Sequence, residues 1–298
     1  MEQYQIKTEF AARLLNAAAY YLHDRARYTE AEPLLQRALS IYEEQLGPTH
    51  PNTASSLNNL AELYRVQGKY EKSELLYQRA LAIWEEQLGP THSHTASSLN
   101  NLAALYYEQG KYEKSEPLLQ RALSIYEEHL GPMHPNTAQS LNNLAALYYV
   151  QGKYSLAELL FQRVLSMREE QLGESHPDTA ISLNNLASLY WKQGEYAKAE
   201  SLYQRALSIR EEQLGESHPD TAQSLHNLAT LYERQEKYSL AEPLFRRALT
   251  IFEQELGLDH PSTQKTRQWY VDLLKATGRD EEAASLENAV SNEGATEA

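Results

Sequence analysis

The chain has 298 residues, no cysteine and a formal charge of −14. The missing cysteines exclude a disulfide framework, a thiolate metal site and a cysteine nucleophile, and the acidity argues against nucleic acid, whose phosphates call for a basic stripe. No apolar run approaches the roughly 20 residues of a membrane span. The opening MEQYQIKTEFAARLL also lacks the basic start and apolar core of a secretory signal. The expectation is a soluble, cytoplasmic protein with no membrane or nucleic-acid partner.

A chain of this length would ordinarily hold two domains, but internal repetition overrides that prior. The stretch GPTHPNTASSLNNLAELY, Gly47 to Tyr64, returns 42 residues later as GPTHSHTASSLNNLAALY, and again from Gly131, Gly173 and Gly215, with a decayed copy from Gly257. About 32 of 42 positions agree between residues 47–88 and 89–130. Each unit reads as two helices. In chain order, a divergent first unit (4–46) supplies helices over Tyr4–Asp24 and Tyr28–Gln45. The unit 47–88 supplies Thr53–Gln67 and Tyr70–Gln87, and 89–130, 131–172, 173–214 and 215–256 repeat it. The last unit, 257–290, supplies Ser262–Ala276 and a short Asp280–Ala289, and SNEGATEA (291–298) is expected to be disordered. Asn52, Asn136, Asp178, Asp220 and Ser262 are placed to cap first helices. Gly68, Gly110, Gly152 and Gly194 mark the turn between helices, and Gly47 and its copies close second helices. Pro33, Pro117 and Pro243 fall in or near a first turn, where a missing N–H costs least.

The series Leu60, Ala61, Tyr64, Gly68, Tyr70, Ser73, Tyr77, Ala80 fits the tetratricopeptide signature. The longer reading GxxHPxTAxSLNNLAxLYxxQGKYxxAExLxxRAL resembles the kinesin-light-chain type of that repeat, found also in many bacterial, notably cyanobacterial, proteins. The resemblance covers nearly the whole chain. It implies an all-α, right-handed superhelical solenoid of about seven helix-turn-helix units, a single array over 1–290 with atypical end units as caps. It also implies a concave groove that binds peptides or partner proteins. No heptad segment precedes the array, so docking to a kinesin heavy chain is not expected.

A helical wheel separates the faces of the first helix. With about 100° per residue, Leu57, Leu60, Ala61, Tyr64, Leu63, Ser56 and Ala54 cover the arcs that must pack. Ser55, Asn58, Asn59, Glu62, Arg65 and Val66 share the remaining strip. Along that strip Asn59, Asn101, Asn143, Asn185 and Asn227 are constant, and Asn58, Asn100, Asn142 and Asn184 give way to His226. An asparagine amide matches a peptide unit as donor and acceptor. In the family the position of Asn59 is a recurrent peptide contact, so the resemblance assigns that series to the ligand. Either series can instead hydrogen-bond a neighbouring helix. Tyr107, Tyr149 and Trp191 occupy one position in three successive units and are candidate apolar anchors, with inter-repeat packing or a homodimer contact as alternatives. Arg65, Lys192 and Arg234 complete the candidate peptide-binding set. The strip's charges (Arg13, Arg65, Lys192, Arg234, Lys265 and Lys275 against Asp24, Glu62, Glu108, Glu233 and Asp272) nearly cancel, which favours a ligand of mixed or apolar character.

His50, His92, His134, His176, His218 and His260 recur once per unit and cannot converge on one ion, since packed helices lie about 8–10 Å apart; they read as loop packing. Arg37, Arg79, Arg121, Arg163, Arg205 and Arg247 read as ion-pair partners of neighbouring glutamates. There is no Gly-rich phosphate loop, HExxH or nucleophile–base constellation, so neither catalysis nor a metal or cofactor is expected. The sequence points to a peptide- or protein-binding adaptor, with a self-associating structural or regulatory array in a larger signalling assembly as the alternative.

Overall fold

The computed structural model describes residues 2–23, 25 and 27–293, with side chains described for 8–23, 25 and 27–287. It divides into two compact units, Met1–Lys153 and Tyr154–Ala298. The first contains α1 (Glu2–His23), α2 (Tyr28–Leu46), α3 (Pro51–Val66), α4 (Tyr70–Leu88), α5 (Ser93–Glu108), α6 (Tyr112–His129) and α7 (Pro135–Val150). The second contains α8 (Tyr154–Leu172), α9 (Pro177–Gln193), α10 (Tyr196–Leu214), α11 (Pro219–Arg234), α12 (Tyr238–Leu256), α13 (Pro261–Ala276) and α14 (Asp280–Glu293). All described secondary structure is helical, in the 42-residue alternation of first and second helices that the sequence predicts. No described helix is long and apolar enough to cross a membrane.

The wheel places the packing residues correctly. Ser56, Leu57, Ala61 and Leu63 are fully buried, and Leu60 and Tyr64 nearly so. Within a pair, Ala54 and Leu57 pack on Ala80, Ile83 and Trp84. Between pairs, Ala61 and Tyr77 pack on Leu102, Leu105 and Tyr106 of the next.

Polar side chains fasten one pair to the next. Tyr64 donates its hydroxyl to Glu32 (3.1 Å) and accepts from Gln36 (3.1 Å). Tyr106 does the same with Glu74 and Gln78, Tyr190 with Glu158 and Gln162, and Tyr232 with Glu200 and Gln204. Burial, reinforced by the adjacent carboxylate, pushes the Tyr106, Tyr190 and Tyr232 hydroxyls up, which keeps them donors. Four of the six repeated arginines follow the expected pairing: Arg79 meets Glu43, Arg121 Glu85, Arg205 Glu169 and Arg247 Glu211, at 2.5–2.7 Å; Arg163 has a partner, and Arg37 has no ion pair among the described residues. These ion pairs are substantially exposed, so each adds little stability.

The helix starts differ from the sequence reading. The N-cap is the histidine, not the residue two places later: His50 Nδ1 accepts from the backbone N–H of Asn52 at 3.1 Å, and His92, His134, His176, His218 and His260 repeat the bond. The helices start at the residue after the histidine, proline in all but the Ser93 copy, two residues earlier than expected and one earlier in the last unit, so Asn52, Asn136, Asp178, Asp220 and Ser262 already lie inside the helix. Thr53 completes the loop by donating its hydroxyl to the Gly47 carbonyl at 2.8 Å, and five further threonines follow it. Pro33, Pro117 and Pro243 lie inside their helices rather than at the start, each forgoing one intrahelical bond. The last helix reaches Glu293, past the expected Ala289, because no glycine or proline intervenes before Gly294. Of the expected tail, 291–293 are therefore helical, while 294–298, like Asp24, lie outside the described residues.

Two stability predictions follow from these loops. His134→Ala removes a cap acceptor and should cost about 1 kcal/mol in urea unfolding, with His134→Asp restoring it; an unchanged midpoint for the alanine variant would refute the capping role. At the inter-helix turn, Gly68, Gly110, Gly152, Gly194 and Gly278 adopt φ of 70–81°, but Glu236 holds φ 58° with a side chain. Glu236→Gly should raise the melting temperature, relieving on the order of 1 kcal/mol of left-handed strain.

Candidate functional site

Within each compact unit, neighbouring first helices touch (α1 with α3, α3 with α5, α5 with α7; α9 with α11, α11 with α13), whereas neighbouring second helices do not approach comparably. Each stack therefore bends toward its first helices, and the polar strip of those helices faces the inner side.

On that strip the two asparagine series part company. The Asn58 series ties first helices together. Asn100 Nδ2 donates to Ser140 Oγ at 2.7 Å, and the serine hydroxyl returns a bond to Asn100 Oδ1 at 3.1 Å. Asn16 reaches Ser56 at 3.2 Å, and Asn184, only 7% exposed, donates to Ser224 (3.2 Å) and to the Ala180 carbonyl (3.0 Å). Where the asparagine becomes His226, the serine becomes Thr266, and the pair persists at 3.1 Å between Nδ1 and Oγ1. Burial first, then Lys265, pushes the His226 imidazole down to about 4, so it serves this junction as a neutral ring. Asn142 likewise has a partner.

The Asn59 series is less committed. Asn59 is exposed, with no hydrogen-bond partner among the described residues. Asn101 donates to Asn58 Oδ1 at 3.0 Å, leaving its own Oδ1 open, and Asn143 accepts from Gln139 at 2.8 Å, leaving its Nδ2 open. Asn227 accepts from Gln223 and donates to Asn184 at 3.5 Å, and Asn185 has a partner. All except Asn59 are half-buried.

Tyr107, Tyr149 and Trp191 are each half-buried. Tyr107 leans on Tyr112, ring centroids 5.8 Å apart, and burial raises its hydroxyl. Its other side walls a cavity of about 150 Å³ with Ala104, Asn143, Ala146 and Leu119. A second cavity of about 300 Å³ lies between α1, α3 and α5, lined by Asn16, Tyr20, Asn59, Glu62, Arg65 and Asn101. Arg65 is not a free cation: it binds Glu62 at 2.5 Å and also Glu108 of the next pair, while Tyr77 donates to Glu62 at 2.7 Å. Burial alone would raise the Glu62 carboxyl, but the bonds from Arg65 and Tyr77 outweigh it and hold the group below its usual range. Lys192 and Arg234 are exposed and without a hydrogen-bonding partner among the described residues. A wider trough, about 510 Å³, runs along α12, but Arg246 and Arg247 there are engaged by Glu242 and Glu211.

Sequence reading missed the histidine caps and the tyrosine clasp. The clasp did leave a trace: glutamate and glutamine recur four residues apart, on one face of every internal second helix up to Gln204.

A family profile for the tetratricopeptide repeat matches residues 10–86, 57–128, 94–170, 136–212 and 178–254. No curated protein matches the chain. Among solved structures, a putative kinesin light chain from Podosopora anserina, with nearly identical TPR-like repeats, is 26% identical over 69% of this chain and 97% of its own, with a TM-score of 0.60. BtubC (BKLC) from P. vanneervenii is 25% identical over 84% of this chain and 94% of its own, at 0.62. The apo quorum sensor NprR from B. thuringiensis, 15% identical over 95% of this chain and 87% of its own, shares the fold at a TM-score of 0.62.

Proposed function

The chain belongs to the tetratricopeptide repeat family, with repeats similar to those of kinesin-light-chain-like proteins, and on that premise we propose that it is an adaptor whose inner face binds an extended peptide or a peptide-like segment of a partner protein. The observation that carries this reading is the row of partly uncommitted amides at Asn59, Asn101 and Asn143, spaced one unit apart where the packing residues leave the first helices open. A primary amide offers a peptide backbone both a donor and an acceptor, so the row holds a chain without reading its sequence. Asn185 and Asn227 hold the matching positions in the second unit, where both are already engaged. Tyr107, Tyr149, Trp191, Lys192 and Arg234 vary around the amides and select side chains. Catalysis forms no part of this reading. A cysteine-free chain needs no oxidising compartment, and the cytoplasm is the setting we propose.

The test separates the two asparagine series. In capture of a partner from the native lysate, Asn143→Ala should lower recovery about tenfold while leaving the melting temperature within a degree or so, since a half-exposed amide adds little to the fold. Asn100→Ala should instead lower stability by about 1 kcal/mol through its lost tie to Ser140. If Asn143→Ala destabilises the fold and spares capture, the row is structural and the reading fails.

One observation favours self-association as a second reading. Leu14 and Tyr21 on α1 are each 55% exposed, although the matching positions one unit later, Ser56 and Leu63, are fully buried against a preceding helix pair. Sedimentation should show a concentration-dependent dimer that Leu14→Glu abolishes. A monomer at every concentration would rule this reading out.

A further inference from the structure

We propose that the inner face of the first compact unit reads its peptide through two adjoining subsites: a basic side chain beside Glu62, and an aliphatic side chain beneath Tyr107, three positions apart. This deepens the adaptor reading and rests on it.

The basic subsite is the cavity of about 300 Å³ between α1, α3 and α5. One guanidinium, Arg65, is shared there by two carboxylates, Glu62 and Glu108, so the trio carries one negative charge in excess. Acceptors are also in surplus. Asn16 Oδ1 is buried without a partner, and Asn101 spends its donor on Asn58 while its oxygen stays open. Tyr20 borders the cavity with 69% of its surface exposed, a ring face available to a cation. A lysine or arginine side chain supplies the missing charge and brings only donors. An acidic side chain would face Glu62, while Arg65 is already held by Glu62 and Glu108 and His23 on the wall is already engaged.

The apolar subsite exists because the next two units shorten the side chain at the Glu62 position to Ala104 and Ala146. The space released is the cavity of about 150 Å³ walled by Tyr107, Leu119 and the two alanines. A dry apolar cavity of roughly that size holds a benzene-sized group, which a leucine or methionine side chain matches. Ser115 at its floor is already spent, donating to the Ala103 carbonyl at 2.9 Å, so a polar side chain would lose water and gain no partner. Asn143 stands at the rim with its Nδ2 open, placed for the peptide backbone.

Ala104 borders both cavities. The subsites are therefore one helix step apart, about 8–10 Å, which a chain in the polyproline-II conformation, rising about 3.1 Å per residue with three residues per turn, covers in three residues with both side chains on the same side. The ligand pattern is a basic residue and an aliphatic residue separated by two others.

The test uses the full chain and four fluorescein-labelled Gly-Ser peptides carrying Arg-Ala-Ala-Leu, Leu-Ala-Ala-Arg, Glu-Ala-Ala-Leu or Arg-Ala-Ala-Ser, followed by fluorescence polarisation. One of the first two should bind about tenfold tighter than both the glutamate and the serine peptides, and that margin over glutamate should shrink with added salt. Glu62→Gln should erode the arginine preference alone. Because Glu62 also holds Arg65 and Tyr77, Glu108→Gln provides a second reading of the same charge from a more exposed site. Ala146→Leu, at a position where a larger side chain already stands in Glu62, should erode the leucine preference alone. The proposal is overturned if the glutamate peptide binds as well as the arginine peptides, or if Ala146→Leu leaves the leucine preference intact. Should Asn143→Ala abolish partner capture while these peptides go undiscriminated, the adaptor reading stands and the two-subsite pattern falls. Should neither partner nor peptide bind, both fall.

Discussion

A pair of helices of some forty residues buries too little apolar surface to be stable alone, so the junction between successive pairs governs this molecule. Apolar contact supplies most of the attraction there, through residues such as Ala61, Tyr77 and Leu102. Apolar contact is not directional, however, and would tolerate sliding between pairs. The tyrosine hydroxyl, clasped between a glutamate and a glutamine of the preceding pair, fixes the register. The arginine–glutamate pairs and the Asn58-type ties add further fixed points on other faces of the same junction.

Constancy along the chain follows from that division of labour. A residue that meets the same partner in every unit has no freedom to vary, and where one member changes, its partner changes with it. His226 with Thr266, in place of asparagine with serine, is the clearest instance. The positions left over after the junction is satisfied are those of Glu62 and Arg65, and these vary along the chain: Ala104 with Tyr107 and Ala146 with Tyr149, then Ser188 with Trp191 and Thr230 with Glu233. Side chains on this residual strip can change size without disturbing the junction, which is why Ala104 and Ala146 leave a cavity there.

The sequence made the helix pairs legible because glycine punctuation and the 3.6-residue period are local signals. What it hid lay in partners outside the helix being read. A wheel drawn on one helix puts Asn58 and Asn59 on the same free arc; only the serine 40 positions away shows that the first series is committed. Arg65 likewise looked like a free groove cation until Glu108, 43 positions on, took it up. The caps were missed for a different reason: histidine is an uncommon N-cap, and the Asx or serine two places later imitated the commoner one.

Among the described residues, the hydrogen bonds that join one pair to the next span from 10 to 43 residues, never much more than a single period. A stretch of 42 residues cut between matching positions would thus leave its flanks able to re-form the junction it vacated, and an inserted copy would bring a complete set of fastenings with it. In this architecture the gene can lengthen or shorten its product by unequal crossing-over between near-identical segments. Each such event would add or delete one rung of the inner polar strip and leave the folding rules untouched.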